Sequence, residues 1–158
     1  VKVLHLTRRF VGSLRRGGPP AADEAWVRGQ LLPGEVVLWS QLSDPDRRHA
    51  AGVARDVADR LGPAATRPVI AAALLHDSGK VVSGLGTFAR VGATLVGRTR
   101  ARGRFADYLR HPEHGARLLH EAGSDPLTVT WAAEHHLPPD RWTLDRPLAD
   151  ALKAADDD

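Results

Sequence analysis

Between Pro68 and Leu75 the chain carries no charged side chain, and His76 and Asp77 follow at once. A stretch this apolar has to be buried, and the small side chains of Ala71, Ala72 and Ala73 let neighbouring helices approach it closely. Elsewhere apolar residues recur at three and four positions, with no convincing alternation of the strand kind. The spacing predicts an all-α bundle in which residues 68–76 form the central helix. That helix delivers an imidazole and a carboxylate into the interior, where such groups are costly unless paired or bound to a metal.

Around the central helix the pattern is regular. Val3, Leu6, Phe10 and Leu14 mark a first amphipathic helix, closed by the breaker cluster Gly17-Gly18-Pro19-Pro20. Residues 22–32 and 35–42 read as short helices separated by Pro33-Gly34. Residues 1–43 are thus expected to form an N-terminal helical extension, and 44–158 the main domain. Asp44 followed by Pro45 predicts a helix start, with the carboxylate as cap, and a run to residue 61. Its buried stripe would be Val53, Val57 and Leu61 beside Ala50, Ala54 and Ala58, which turns His49 inward. Gly79 is expected to end the central helix, and residues 85–96 to form another before an Arg-rich connection over 97–103. A helix over 112–122 should bury Leu118 and Leu119 and stop at Gly123. Asp125-Pro126 opens the next, in which Val129, Trp131 and Ala132 pack before Pro138 and Pro139 bar continuation. A last helix over 147–156 carries Leu148, Ala151, Leu152 and Ala155. At 158 residues and 42% hydrophobic content, one domain with a real core is the expectation.

Composition removes several classes of function. There is no cysteine, so disulfides, thiolate metal sites and cysteine nucleophiles are excluded, and any metal must be held by imidazole and carboxylate. No apolar run approaches the roughly 20 residues that cross a bilayer, and residues 1–10 lack the apolar segment of a signal peptide. A soluble cytoplasmic protein with no membrane partner is expected. A net charge of +3 raises nucleic acid as a partner, with Arg8, Arg9, Arg15, Arg16 and the stretch 98–104 as patches. Aromatics at 5% leave little to stack bases, so these cations read as solvated surface that would also suit a small phosphorylated substrate. Nothing in the pattern addresses oligomeric state.

His49, His76, Asp77, His111, His114, His135, His136 and Asp156 fall at helix ends or on inward faces. One of them alone would be a satisfied structural hydrogen bond. Together they point to a metal, and this mixture of nitrogen and oxygen donors suits Fe, Mn, Co, Ni or Zn, with a carboxylate able to bridge two ions. His114 is expected to be exposed or behind the ligands, and His5, His120 and Glu113 at the surface. Because adjacent helical residues point about 100° apart, only one of His135 and His136 need bind unless the helix ends there.

The residues also carry a resemblance. Leu75-His76-Asp77-Ser78-Gly79-Lys80 looks like the HD signature, with Arg48-His49-Ala50 upstream and Lys153-Ala154-Ala155-Asp156 far downstream. Over residues 44–156 the chain resembles the HD-domain metal-dependent phosphohydrolases, which implies that His49, His76, Asp77 and Asp156 gather a first ion. His111-Pro112-Glu113-His114-Gly115 and Glu134-His135-His136 resemble two elements of the HD-GYP cyclic-dinucleotide phosphodiesterases. That likeness implies a second ion held by His111, His135 and His136, with Asp77 as bridge. It further implies two divalent transition-metal ions, Fe or Mn foremost, and a phosphate ester, such as a nucleotide, hydrolysed by metal-activated water. Asp77 and Lys80 would be the catalytic residues, Lys80 contacting a phosphate oxygen; as residues alone, Lys80 is equally a lysine placed well at a helix C-terminus.

The chain also departs from that pattern. Leu137-Pro138-Pro139-Asp140-Arg141-Trp142 stands where the subgroup would have its GYP motif, and Pro45 stands where some relatives have an added glutamate ligand. Two other functions fit the ligand set, a di-iron oxygenase and a non-catalytic nucleotide-sensing module.

Overall fold

The computed structural model describes residues 17–83 and 110–157, which are helical with no strand among them. In chain order the helices are α1 (Ala21–Gln30), α2 (Pro33–Gln41), α3 (Asp44–Leu61), α4 (Arg67–Leu75), α5 (Lys80–Ser83), α6 (His111–Glu121), α7 (Pro126–Glu134) and α8 (Arg146–Asp157). Single 3-10 turns, Gly62–Ala64 and Pro139–Arg141, follow α3 and precede α8. No helix among the described residues is long and apolar enough to cross a membrane. The helices expected over 1–14 and 85–96, the Arg-rich stretch 97–104 and His5 lie outside the described residues.

Proline opens most of these helices. α2, α3, α4, α6 and α7 each have one in their first two positions, where the missing N–H would have no partner within the helix. Two boundaries differ from expectation for local reasons. Pro33 and Gly34 begin α2 instead of separating two helices, because the Glu35 carboxylate reaches back to accept from the Leu32 amide at 2.7 Å. The cap of α3 is Ser43, whose hydroxyl accepts from the Asp46 amide at 3.4 Å, and Asp44 is the first helical residue, its carboxylate paired with Arg47.

The core is built on α4. Every residue from Val69 to Leu75 is buried, and α4 packs against α1, α2, α3 and α7. Burial of leucines such as Leu74 and Leu75 contributes about 1.5–3 kcal/mol each. α3 presents Ala50, Ala51, Val53, Ala54 and Val57 to this core, with Ala58 and Leu61 at its margin. α8 lies on α3, and α7 lies on both α4 and α6. Leu119 of α6 is buried while Leu118 is only partly so.

Polar contacts fix the ends. Gly123, at φ +76°, stops α6 as expected: its amide donates to His120 O at 3.1 Å and the Ser124 amide to Leu119 O at 3.0 Å, a Schellman pair. Asp125 caps α7 by accepting from the Leu127 amide at 2.9 Å. The buried Thr128 hydroxyl donates to Pro68 O at 3.0 Å, tying α7 to the start of α4. α1 is held by Glu24, which accepts from Trp39 Nε1 at 3.1 Å, and by Asp23, which accepts from Arg55 of α3 at 2.9 Å.

Candidate metal centre

α4 and α7 end in the same way. Each stops one residue before a buried histidine, whose Nδ1 donates to the carbonyl three residues back: His76 to Ala73 O at 2.9 Å, His135 to Ala132 O at 3.0 Å. These carbonyls belong to the last helical turn, which lacks amide partners. Since a carbonyl can only accept, the proton of each neutral ring sits on Nδ1 and the lone pair on Nε2 faces inward. Both rings are buried, yet neither Nε2 has a hydrogen-bond partner.

Gly79 does not end α4 as the sequence led us to expect. The helix stops at Leu75 and residues 76–79 form a turn. A Cβ at Gly79 would run into the His111 carbonyl oxygen and lie 2.6 Å from the Gly115 amide nitrogen, and one at Gly115 would lie 3.1 Å from the Gly79 nitrogen. Two glycines therefore let the turn after α4 press against the first turn of α6. That contact brings His111 Nε2 to 3.1 Å from Asp77 Oδ1.

α8 and α3 close the other side. Asp156 Oδ1 lies 3.1 Å from His49 Nε2 and 3.4 Å from His76 Nε2. Two groups result, each with ligand atoms within 4.8 Å of one another: His49, His76 and Asp156; and Asp77, His111, His135 and His136. Asp77 touches both. Its Oδ2 lies 3.6 Å from His76 Nε2 and pairs with Lys80 Nζ, while Oδ1 faces His111 and, at 3.8 Å, His135 Nε2. Because α7 ends at Glu134, His135 and His136 sit in a turn and both join the group, His136 Nε2 standing 3.0 Å from His111 Nε2.

Charge divides the two groups. Burial opposes ionisation of both carboxylates, but neighbouring cations and donors outweigh it. Lys80, His76 and the adjoining rings of His111 and His135 hold the Asp77 pKa well below the usual range; His76, together with the His49 ring, lowers that of Asp156. Burial also disfavours a charged His76, yet Asp77 and Asp156 win and raise its pKa. His135 goes the other way, lowered by burial against the pull of Asp77. His136 is lowered to about 3 by burial of its inner edge and by His135 and His111, although the residue as a whole is exposed at the rim.

The loop after His136 is held by a device that no sequence pattern singled out. Trp142 Nε1 donates to Glu134 O at 3.2 Å and Leu137 O at 3.1 Å, and the Glu134 carboxylate accepts from the Thr143 amide at 2.8 Å and hydroxyl at 2.7 Å. His120 and Glu113 are exposed as expected, and His114 is partly buried and outside both groups.

A metal fits this arrangement. Two buried imidazole nitrogens lack partners, the carboxylates are held ionised, and every donor is nitrogen or oxygen of the kind that binds divalent transition metals. Either group has enough donors to hold an ion. Searches among curated proteins and solved structures give no match. The model of the HD domain family, in contrast, matches residues 48–157, which take in every ligand candidate from His49 to Asp156. On a match of that extent, the chain belongs to the HD domain family of metal-dependent phosphohydrolases.

Proposed function

We propose that this protein hydrolyses a small phosphate ester, such as a nucleotide, at a pair of divalent metal ions. The observation that carries the reading is Asp77, a buried carboxylate whose two oxygens face different histidine groups, Oδ2 towards His76 at 3.6 Å and Oδ1 towards His111 at 3.1 Å. His49, His76, Asp77 and Asp156 would hold one ion, and Asp77, His111, His135 and His136 the other. Fe or Mn suits these donors best, with Co, Ni or Zn as alternatives. When bound, such a pair supplies the Lewis acidity that activates water near neutral pH and offsets charge on the phosphoryl oxygens.

The chain's own residues do the positioning. The Ala73 and Ala132 carbonyls fix the tautomer and direction of His76 and His135, an arrangement that raises the basicity of the nitrogen facing the metal. Lys80 Nζ, held on Asp77 Oδ2, brings a positive charge to the place where a phosphate oxygen would arrive. The donors contributed by α6 and α7 favour a relative of the HD-GYP subgroup. With the compact Pro139–Arg141 turn and Trp142 in place of the GYP motif, we read the substrate as smaller than a cyclic dinucleotide. In this reading residues 1–43 are an extension to the metal-binding domain at 44–158.

Metal analysis with a panel of phosphomonoesters and phosphodiesters tests this. The expected result is about two ions per chain, as in two-metal hydrolases. His76→Ala and Asp77→Ala should stay helical but lose metal, and lose activity beyond the roughly 10–100-fold that a missing hydrogen-bond partner of a ligand costs. Full activity in either variant refutes the assignment. Iron-dependent oxygen consumption without ester hydrolysis would move the chain to the oxygenase reading, and metal and nucleotide binding without any turnover to the sensing one.

A further inference from the structure

α8 carries two pairs of a cation with an acid four residues later. Arg146 and Asp150 meet at 2.8 Å with side chains 60% and 52% exposed, an ordinary solvated pair. Lys153 is placed differently. Its Nζ lies 2.6 Å from Asp157 Oδ1 and 3.7 Å from Asp156 Oδ2, and its side chain is 29% exposed. Asp156 is turned inward, its Oδ1 at 3.1 Å from His49 Nε2 and 3.4 Å from His76 Nε2. One oxygen of this carboxylate thus faces the candidate ligand histidines, and the other faces a lysine of its own helix.

Helix stability does not account for this placement. The helix dipole favours a lysine in the last turn, and α8 has no basic residue there. Asp157 stands at the C-terminus of α8, the end at which the dipole disfavours an anion. The pair also runs in the weaker direction, since an acid ahead of its cation stabilises a helix more than the reverse order. What the arrangement does provide is one ammonium shared between an inward carboxylate and an exposed one. A similar pairing exists at the other carboxylate of the centre, where Lys80 meets Asp77 Oδ2.

We propose that Lys153 is a positioning residue for the metal centre: it keeps Asp156 Oδ2 turned away from the ion, so that this carboxylate binds through Oδ1 alone, and Asp157 sets how much of the ammonium charge Asp156 receives. A carboxylate can hold a metal ion through one oxygen or through both. Binding through both would occupy a position that a catalytic ion keeps open for water or substrate. The charge of Lys153 also repels a cation, so the residue weakens metal binding while it preserves the open position. A lysine that served the structure alone would have the opposite effect, because its loss would loosen the site and weaken binding.

The inference rests on an ion at His49, His76 and Asp156, whatever reaction follows there, and the test separates the two. Wild type, Lys153→Met, Lys153→Arg and Asp157→Asn are titrated with Mn²⁺ alone, with free ion followed by electron paramagnetic resonance and bound ion by its effect on water-proton relaxation. The part of the signal lost in His49→Ala marks the ion near Asp156. Lys153→Met should bind that ion about 2–10-fold more tightly, the effect of removing a partly screened like charge, and should relax water less per bound ion, because Asp156 Oδ2 displaces water. Lys153→Arg keeps the charge and should stay near wild type in both readouts. Asp157→Asn leaves the ammonium wholly to Asp156 and should bind Mn²⁺ more weakly, by a smaller factor. Melting of the metal-free variants should change little, as for other partly exposed pairs. A Lys153→Met protein that binds Mn²⁺ no more tightly than wild type, or relaxes water equally well per bound ion, overturns the positioning role and leaves the metal centre standing. A wild type that binds no Mn²⁺ sensitive to His49→Ala overturns the ion at this group and the role of Lys153 with it.

Discussion

The C-termini of α4 and α7 present their histidines with the same local geometry but are held by different forces. Behind His76 the turn over 76–79 is buried and its Gly79 presses against His111 and Gly115 of α6, so packing sets its position. Behind His135 the chain runs through a partly exposed loop, and the hydrogen bonds of Trp142 and Glu134 hold it. Their electrostatics differ as well. His76 sits between two carboxylates and is pulled towards the charged form, whereas burial, with neighbouring imidazoles adding to it, pushes His135 and His136 towards the neutral one. One local solution, an imidazole donating to the last turn of its own helix, thus serves two halves of a centre with unlike rigidity and unlike affinity for protons.

The largest effect should come from the packed half. Gly79→Ala places a methyl group against the His111 carbonyl, and relief requires the turn and α6 to move apart. Overpacking of this kind destabilises by about 1–3 kcal/mol, and the same movement draws His111 away from Asp77, so metal content should fall along with the melting temperature. Gly115→Ala, whose added Cβ would be 3.1 Å from its nearest neighbour, should show a milder version of both. A Gly79→Ala protein that melts and binds metal like wild type would show that packing does not set the α4 end.

Protons should separate the halves next. A raised His76 pKa means that its charged form stabilises the metal-free fold fully below the ordinary imidazole value near 6.5, and that this contribution is lost as pH rises through the raised value. Any ion must displace that proton, so affinity in the His49, His76 and Asp156 group should climb by up to about tenfold per pH unit until the raised pKa is passed. His135 and His136 have the opposite sign. Their neutral forms stabilise the fold above the ordinary value, and the contribution is lost on acidification, for His136 down towards about 3. Metal titrations across neutral pH should show one ion leaving first as the solution is made mildly acidic, the other persisting. Simultaneous loss of both would erase the electrostatic half of the comparison.

Most of the helical frame was legible because burial and breakers speak in short windows. The apolar run over 69–75 could go nowhere but the core, and Gly123 and Asp125 worked as stop and start. The start of α3 was misread because Ser43 and Asp44 are both good caps, and only the folded backbone shows which oxygen reaches the Asp46 amide. Gly79 was misread for a deeper reason. A glycine needed because another segment approaches closely looks, in one dimension, the same as one that ends a helix. The convergence of His49, His76, Asp77, His111, His135, His136 and Asp156 was legible only as a set, because the frame brings together residues as far apart in sequence as His49 and Asp156. The Trp142 and Glu134 staple lay beyond reach, because an isolated tryptophan after two prolines has no pattern to betray its partners.

That staple gives the smallest and most selective test. Trp142→Phe keeps an aromatic ring to pack against Trp131, 5.6 Å away between centroids, but deletes the N–H shared by the Glu134 and Leu137 carbonyls. Losing such a hydrogen bond costs about 0.5–1.5 kcal/mol, so the melting temperature should drop only slightly. Because the loop carries His136 and leads away from His135, whatever looseness results is confined to their half of the centre. On the two-ion reading, affinity should therefore fall a few-fold for an ion held by His111, His135 and His136, and stay at the wild-type value for one near His49 and Asp156. Equal weakening of both ions would mean that Asp77 couples the halves so tightly that the two helix ends act as one support, and the distinction between a packed end and a hydrogen-bonded end would carry no functional meaning.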